Sequence, residues 1–227
     1  MAKLKKQVLG RISGALGDIV FREVNGKNVV GMKPTNVNTP QDPASVARRA
    51  KFTISAKLAQ AISSHQKLKD LWALKAPAGQ STHNFLIKSN YLFVQSDDLT
   101  DLIKLTPNAG FPVSASSGNL TSSGMELILD AIGNNNLIDD SVEVNVQMLS
   151  VLFFKDSVDV SVPQYSIITA SSSVQALSLA NPLTLNAPLV GNDELLFDKY
   201  QYHKAFNVII TMDAIGNLIH YSNTLSV

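Results

Sequence analysis

Residues 142–154 read Val-Glu-Val-Asn-Val-Gln-Met-Leu-Ser-Val-Leu-Phe-Phe. The run is rich in β-branched and aromatic residues, is longer than its neighbours, and predicts a strand. Around it lie further short β-rich runs: Met125–Leu129, Val158–Val162, Tyr165–Thr169, Leu183–Leu185, Phe206–Met212 and Leu218–Val227. Turn residues separate them at the spacing of a β-sandwich. The pentapeptide Asp130-Ala131-Ile132-Gly133-Asn134 recurs as Asp213-Ala214-Ile215-Gly216-Asn217, each time after an apolar run. Aspartate can bond its own backbone two residues on and glycine supplies a positive φ, so both copies are expected to be hairpin tips.

Upstream the pattern changes. Residues 96–124 are rich in Ser, Thr, Asn and Gly and contain Pro107 and Pro112, and a linker is expected there. Before it, Val46, Ala50, Ile54, Leu58 and Ile62 recur every fourth residue, which predicts a helix over 41–74, broken near Ser63-Ser64. Leu68, Leu71 and Trp72 continue its apolar stripe. Phe52, Phe85 and Trp72 fit that core. Thr39 is the expected cap, with Pro40 at the first helical position and Asp42 near the positive end of the dipole. Ser81 caps a further short helix running to Phe93, with Phe85, Leu86 and Leu92 inward. Nearer the start, Ile19, Phe21 and Val24 precede Asn25-Gly26, and Val29, Val30 and Met32 follow it. An Asn-Gly step between β-rich runs predicts a hairpin. Gly10, Gly14 and Gly17 read as its flexible or tightly turned lead-in.

The expected fold is therefore α+β: an N-terminal β-hairpin and helices, then a C-terminal antiparallel, immunoglobulin-like β-sandwich. The expected domains are a hairpin-plus-helix module over 1–95, the linker over 96–124 and the sandwich over 125–227.

Charge follows the same division. Residues 1–88 hold 15 Lys/Arg against 4 Asp/Glu, a net of +11, and residues 89–227 hold 4 against 14, a net of −10. All four arginines, Arg11, Arg22, Arg48 and Arg49, lie in the first 49 residues. With Lys51 they are the candidate interaction residues. Two contacts suit them: the acidic half of the same chain or of a second copy, and a nucleic acid or other anionic polymer. No recognition helix or RNA-module motif accompanies them.

Chemistry is sparse. With no cysteine in the chain, disulfides, thiolate catalysis and iron–sulfur ligation are excluded. No phosphate-binding glycine loop or nucleophile elbow is present. His65, His83, His203 and His220 lack zinc spacing. Asp97, Asp98 and Asp101, and likewise Asp139, Asp140 and Glu143, form acidic groups that match no calcium loop and read as solvated charge. No catalytic set, cofactor, metal or small-molecule substrate is expected. No stretch approaches the ~20 apolar residues of a membrane span. Arg11 and Asp18 interrupt the first apolar run, so no signal peptide is expected. Cytoplasmic synthesis is the corresponding expectation, with a place in a virion or an exported assembly open.

The run Leu9-Gly10-Arg11-Ile12-Ser13-Gly14-Ala15-Leu16-Gly17-Asp18-Ile19-Val20 is followed by Asn25-Gly26-Lys27, Lys33-Pro34 and Ala47-Arg48-Arg49-Ala50-Lys51-Phe52. It resembles the opening of an uncharacterised bacterial family, a domain of unknown function. Those proteins begin with a Gly-x-x-Ser-Gly-x-x-Gly-x-x-Val hairpin, an Arg/Lys-x-Pro exit and an Arg-x-Lys-Phe helix. Asp213-Ala214-Ile215-Gly216-Asn217, with Tyr221-Ser222-Asn223-Thr224-Leu225-Ser226-Val227, is similar to that family's final hairpin. The resemblance implies an N-terminal helical part and a C-terminal β-sandwich, and no activity. The function expected on all these grounds is that of a non-enzymatic structural subunit. Copies of it would build a homo-oligomeric particle or filament, of virion or cell-surface type, held by hairpin docking and basic–acidic complementarity. The alternative is a nucleic-acid or anionic-polymer binder.

Overall fold

The computed structural model describes residues 2–3, 13–24, 26–34, 39–108, 110–133 and 137–227. The chain forms two compact units, Met1–Val46 and Ala47–Val227.

In the first unit β1 (Ala2–Lys3), β2 (Gly14–Leu16), β3 (Ile19–Val24) and β4 (Lys27–Met32) make one antiparallel sheet in the order β1-β4-β3-β2. The expected hairpin is there: Val24 pairs with Lys27 across a two-residue turn in which Gly26 has φ +73°. Asn25, its first residue, lies outside the described residues, as do Gly10 and Arg11. The glycine lead-in is more than a lead-in. Gly14–Leu16 is a third strand, because Gly17 at φ +56° turns the chain tightly enough to set Leu16 against Ile19. The described residues of the unit supply no apolar core. Among its described residues the buried ones are Asn28 and Ser45, both polar, while Leu16 and Met32 are 72% and 81% exposed.

Helix α1 (Pro43–Ser64) starts three residues later than expected. Asp42 caps it, accepting the Ser45 amide at 2.9 Å, and Pro43 takes the first helical position. The same Thr/Asp-Pro chemistry occurs at Thr39-Pro40 and Asp42-Pro43, and the second site has the serine donor three residues on. The Ser45 hydroxyl and amide hold the Asp42 carboxylate below the ordinary carboxylate range. The helix breaks at His65 before α2 (Gln66–Lys75), and α3 (Thr82–Asn90) is capped by Ser81, whose hydroxyl accepts the Asn84 amide. A single 3-10 turn, Tyr91–Phe93, follows.

The remaining strands are β5 (Ala115–Thr121), β6 (Gly124–Leu129), β7 (Asn145–Ser157), β8 (Tyr165–Ser171), β9 (Gln175–Ala176), β10 (Leu183–Pro188), β11 (Tyr200–Met212), β12 (Leu218–Tyr221) and β13 (Leu225–Ser226), with a short helix α4 (Asn192–Phe197) before β11. They form two antiparallel sheets. The smaller runs β10-β6-β5 and the larger β12-β11-β7-β8. Beyond β8, β9 continues along the same edge of β7, and β13 does likewise beyond β12 on β11.

Strands β7 and β11 pair from Tyr200↔Ser157 to Met212↔Asn145 and form the centre of the larger sheet. Alternate residues point to opposite faces. Val146, Met148, Leu152, Phe154, Ala205 and Ile209 pack on Met125, Leu127, Leu129, Leu185 and Ala187 of the smaller sheet. Leu149, Val151, Phe153, Phe206, Val208 and Ile210 pack on Ile54, Leu58, Ile62, Leu68, Trp72 and Leu86 of the helices. The unit is thus an α+β arrangement in which the central strands of the larger sheet, β7 and β11, are buried on both faces. That is why residues 146–154 read as an almost unbroken apolar run.

This layering corrects the expected domains. The helices share a core with the larger sheet, so no boundary separates residues 47–95 from 125–227, and the division of the chain falls after Val46 instead. The segment expected as a linker carries Leu99, Ile103 and Leu105 into the helix-side core and Phe111 into the inter-sheet core, and it includes β5. Trp72 Nε1 donates to the Leu105 carbonyl at 2.8 Å, and Thr224 Oγ1 accepts the Leu105 amide at 2.9 Å. Residues 158–162 are a turn and not a strand. Asp156, the penultimate residue of β7, has φ +60°, β7 stops at Ser157, and the Asp159 carboxylate takes the Ser161 amide at 2.8 Å. Of the two Asp-Ala-Ile-Gly-Asn copies, 213–217 is a hairpin tip, with Asp213 accepting from Ile215 and Asn217. The copy starting at Asp130 lies on the crossing from β6 to β7, in different sheets, and its Asn134 lies outside the described residues.

Candidate interaction surface

Arg48 and Lys51 lie one helical turn apart near the start of α1 and face the same groove of about 350 Å³. Ala47, Leu92, Val94, Gln95, Ser96 and Thr100 complete its lining. Lys51 Nζ sits 4.7 Å from the centre of the Tyr91 ring, a cation–π arrangement that fixes the ammonium at the groove wall. The 3-10 turn after α3 decides the apolar side. It carries Val94 inward, where it bridges to Leu99, and leaves Leu92 81% exposed. The expectation that Leu92 faces the core is therefore corrected. Phe52 is corrected likewise: it follows Lys51 on α1 and is exposed.

The other sequence candidates are elsewhere. Arg49 is exposed on α1, about 100° round the axis from Arg48. Arg22 stands on β3 opposite Val29 and, with Met32 and Lys33, lines a groove within the first unit. Arg11 lies outside the described residues. The structure brings Arg48 and Lys51 together, and Arg22 belongs to the first unit.

The acidic groups are held by partners. Lys155 pairs with Asp98 at 3.0 Å and Lys204 with Asp101 at 3.1 Å, the two lysines flanking the Tyr202 ring. The hydrogen bond to Asp98 raises the Lys155 pKa above its ordinary value. Burial opposes the Lys204 charge, and bonds to Asp101 and Tyr202 outweigh it and hold that pKa up. Glu143, expected to be solvated, is buried. It accepts from the Thr211 hydroxyl and the Asp139 amide and lies 3.0 Å from His220 Nδ1. Thr211 and His220 are cross-strand neighbours, so the hairpin register set by the 213–217 tip was the signal that could have found this trio. Among the described residues no three His, Cys, Asp or Glu side chains form a group that could hold a metal. No helix among the described residues is long and apolar enough to cross a membrane.

At the end of the strands that carries Tyr200, α4 presents Asp193 and Glu194 in its first turn. Leu195 is 65% exposed and Val190, just before the helix, 70%. The chain matches no family model, no curated protein and no solved structure.

Proposed function

We propose that the protein is a non-enzymatic structural subunit whose working form is an assembly of its own copies. One observation carries this: among its described residues the N-terminal sheet has no buried apolar side chain, and it exposes Leu16, Ile19, Val24 and Met32. A small sheet is stable when an apolar face packs on something. Large exposed apolar side chains on such a sheet mark an association surface. A second copy is the partner that the charge division of the chain suits, since a basic N-terminal segment meets an acidic sandwich. A virion-like particle or a surface filament is the kind of assembly this reading favours, and the resemblance to an uncharacterised bacterial family adds no activity to it.

The immunoglobulin-like reading of the sandwich belongs to the same proposal. Lettered in chain order, β5, β6, β7, β8, β10, β11 and β12 become A to G. The sheets are then A-B-E and D-C-F-G. The constant-type immunoglobulin arrangement has A-B-E-D and C-F-G, so the difference is the fourth strand, which pairs with C instead of E.

Light scattering after size-exclusion chromatography, across protein concentration and salt, tests the function. Association that strengthens with concentration is expected. A strict monomer under every condition would overturn the reading. The second reading, an anionic polymer bound by the N-terminal half, draws on Arg48 and Lys51 facing one groove. It requires an oligonucleotide mobility shift that falls steeply with added salt.

A further inference from the structure

We infer that the groove of Arg48, Lys51 and Leu92 is one half of a contact between copies, and that the α4 segment of a second copy, Val190 to Leu195, is the other half. The inference rests on the assembly reading and names its surfaces.

Each side presents what the other lacks. The groove has two cations, Arg48 and Lys51, around Ala47, Val94 and an exposed Leu92, with Gln95, Ser96 and Thr100 as its neutral polar part. The α4 segment has two carboxylates in its first turn, a half-buried Asp193 and an exposed Glu194, flanked by the exposed side chains of Val190 and Leu195. Leu92 and Leu195 are the apolar centre of such a contact, and the charged groups are its rim. That is the usual division of roles at an interface. Oppositely charged rims fix the register and speed encounter.

Both surfaces are built by fixed structure. Lys51 is held on the Tyr91 ring, and Tyr91 and Leu92 belong to the 3-10 turn that Val94 anchors through its bridge to Leu99. The α4 segment is anchored by Phe197, whose ring lies 3.9 Å from that of His203 in a parallel stack and edge-on to Phe154 at 6.1 Å. His203 in turn hydrogen-bonds the Phe197 carbonyl at 2.8 Å. Little ordering is then required on contact, which favours affinity. The two patches differ, so repetition of the contact joins copies reciprocally or head to tail.

Charge reversal on each side, followed by mixing, tests the contact. Arg48→Glu/Lys51→Glu alters the groove alone and Asp193→Lys/Glu194→Lys alters α4 alone. Arg48 and Glu194 are exposed, Lys51 and Asp193 are partly exposed, and none of the four belongs to the core, so circular dichroism should match the parent chain. Each variant alone should self-associate about tenfold or more weakly in sedimentation velocity, and an equimolar mixture should recover association, because each variant keeps the half the other has lost. If both variants associate like the parent chain, the contact is elsewhere and the inference fails while the assembly reading stands. If the parent chain is itself monomeric throughout, the assembly reading fails. If Arg48→Glu/Lys51→Glu loses an oligonucleotide shift and keeps its self-association, the groove is a polyanion site and the inference is overturned.

Discussion

His65 Nε2 lies 3.1 Å from the carbonyl oxygen of Ser150, tying the joint between α1 and α2 to a central strand of the larger sheet. A carbonyl only accepts, so this nitrogen carries the proton. Burial disfavours the charged ring and pushes the His65 pKa below its ordinary 6.5, against a smaller opposing pull from Ser150. In the unfolded chain the ring takes a proton near 6.5 while the folded ring resists it. Stability from this residue is thus complete above that pH. It declines as pH falls below it, until the folded ring also protonates. Thermal melts from about pH 7.5 to about pH 5 should show the decline. His65→Gln keeps a donor for Ser150 and cannot titrate, so its profile should be flatter. Parallel profiles would assign the slope to another group.

Glu143 makes a different use of burial. Its carboxylate is 1% exposed and is met by Thr211, Asp139 and His220. A buried carboxylate that loses a donor loses stabilisation it cannot regain from water, so Thr211→Val should cost about 1–3 kcal/mol in urea unfolding. The cost should shrink when Glu143 is already Gln, because the acceptor no longer carries charge. Additive effects in that double-mutant cycle would show that the two side chains are not coupled.

These two residues also show where the sequence is legible. Local chemistry could be read directly. Ser81 as a cap, the break between α1 and α2, the Gly26 turn and the 213–217 tip each depend on neighbours within a few positions. Layering could not be read so. Strands β7 and β11 bury both faces, and an apolar run does not say that helices cover one of them. Leu99, Ile103 and Leu105 are three apolar residues in a stretch otherwise dominated by turn formers, with no period to mark them as core. Leu92 sits at helical spacing from buried residues, but the helix tightens to a 3-10 turn and carries it outward. Of the candidate surface, the charges were visible in sequence and the groove was not. Its apolar part depends on that one turn.

Gly124 and Gly216 both have positive φ, at +145° and +91°, but their surroundings differ. A Cβ on Gly124 would lie 2.5 Å from the Ala187 carbonyl oxygen, across the β6–β10 pair, whereas one on Gly216 would meet nothing within 4 Å. Gly216→Ala should therefore cost about 1–2 kcal/mol of backbone strain alone. Gly124→Ala adds overpacking of about 1–3 kcal/mol, because the obstacle is backbone in a paired strand and cannot rotate away. Chemical unfolding of the two variants side by side measures the gap. Equal losses would mean that the β6–β10 pair yields more easily than its register suggests.

Removing residues 1–41 leaves the Asp42 cap in place and takes none of the buried apolar side chains among the described residues, the first of which is Ile54. The shortened chain should therefore fold. Trp72, the single tryptophan, is fully buried against Phe85 and bonded to Leu105, and its emission reports the helix-side core directly. Emission should stay at the position of a buried indole, and the melting temperature should change by no more than about 2–4 °C, the equivalent of roughly 1 kcal/mol in a domain of this size. Self-association should weaken, because the exposed apolar residues Leu16, Ile19, Val24 and Met32 leave with the sheet. A red-shifted emission would show that the N-terminal unit supports the core. An intact fold with undiminished association would confine assembly to residues 42–227.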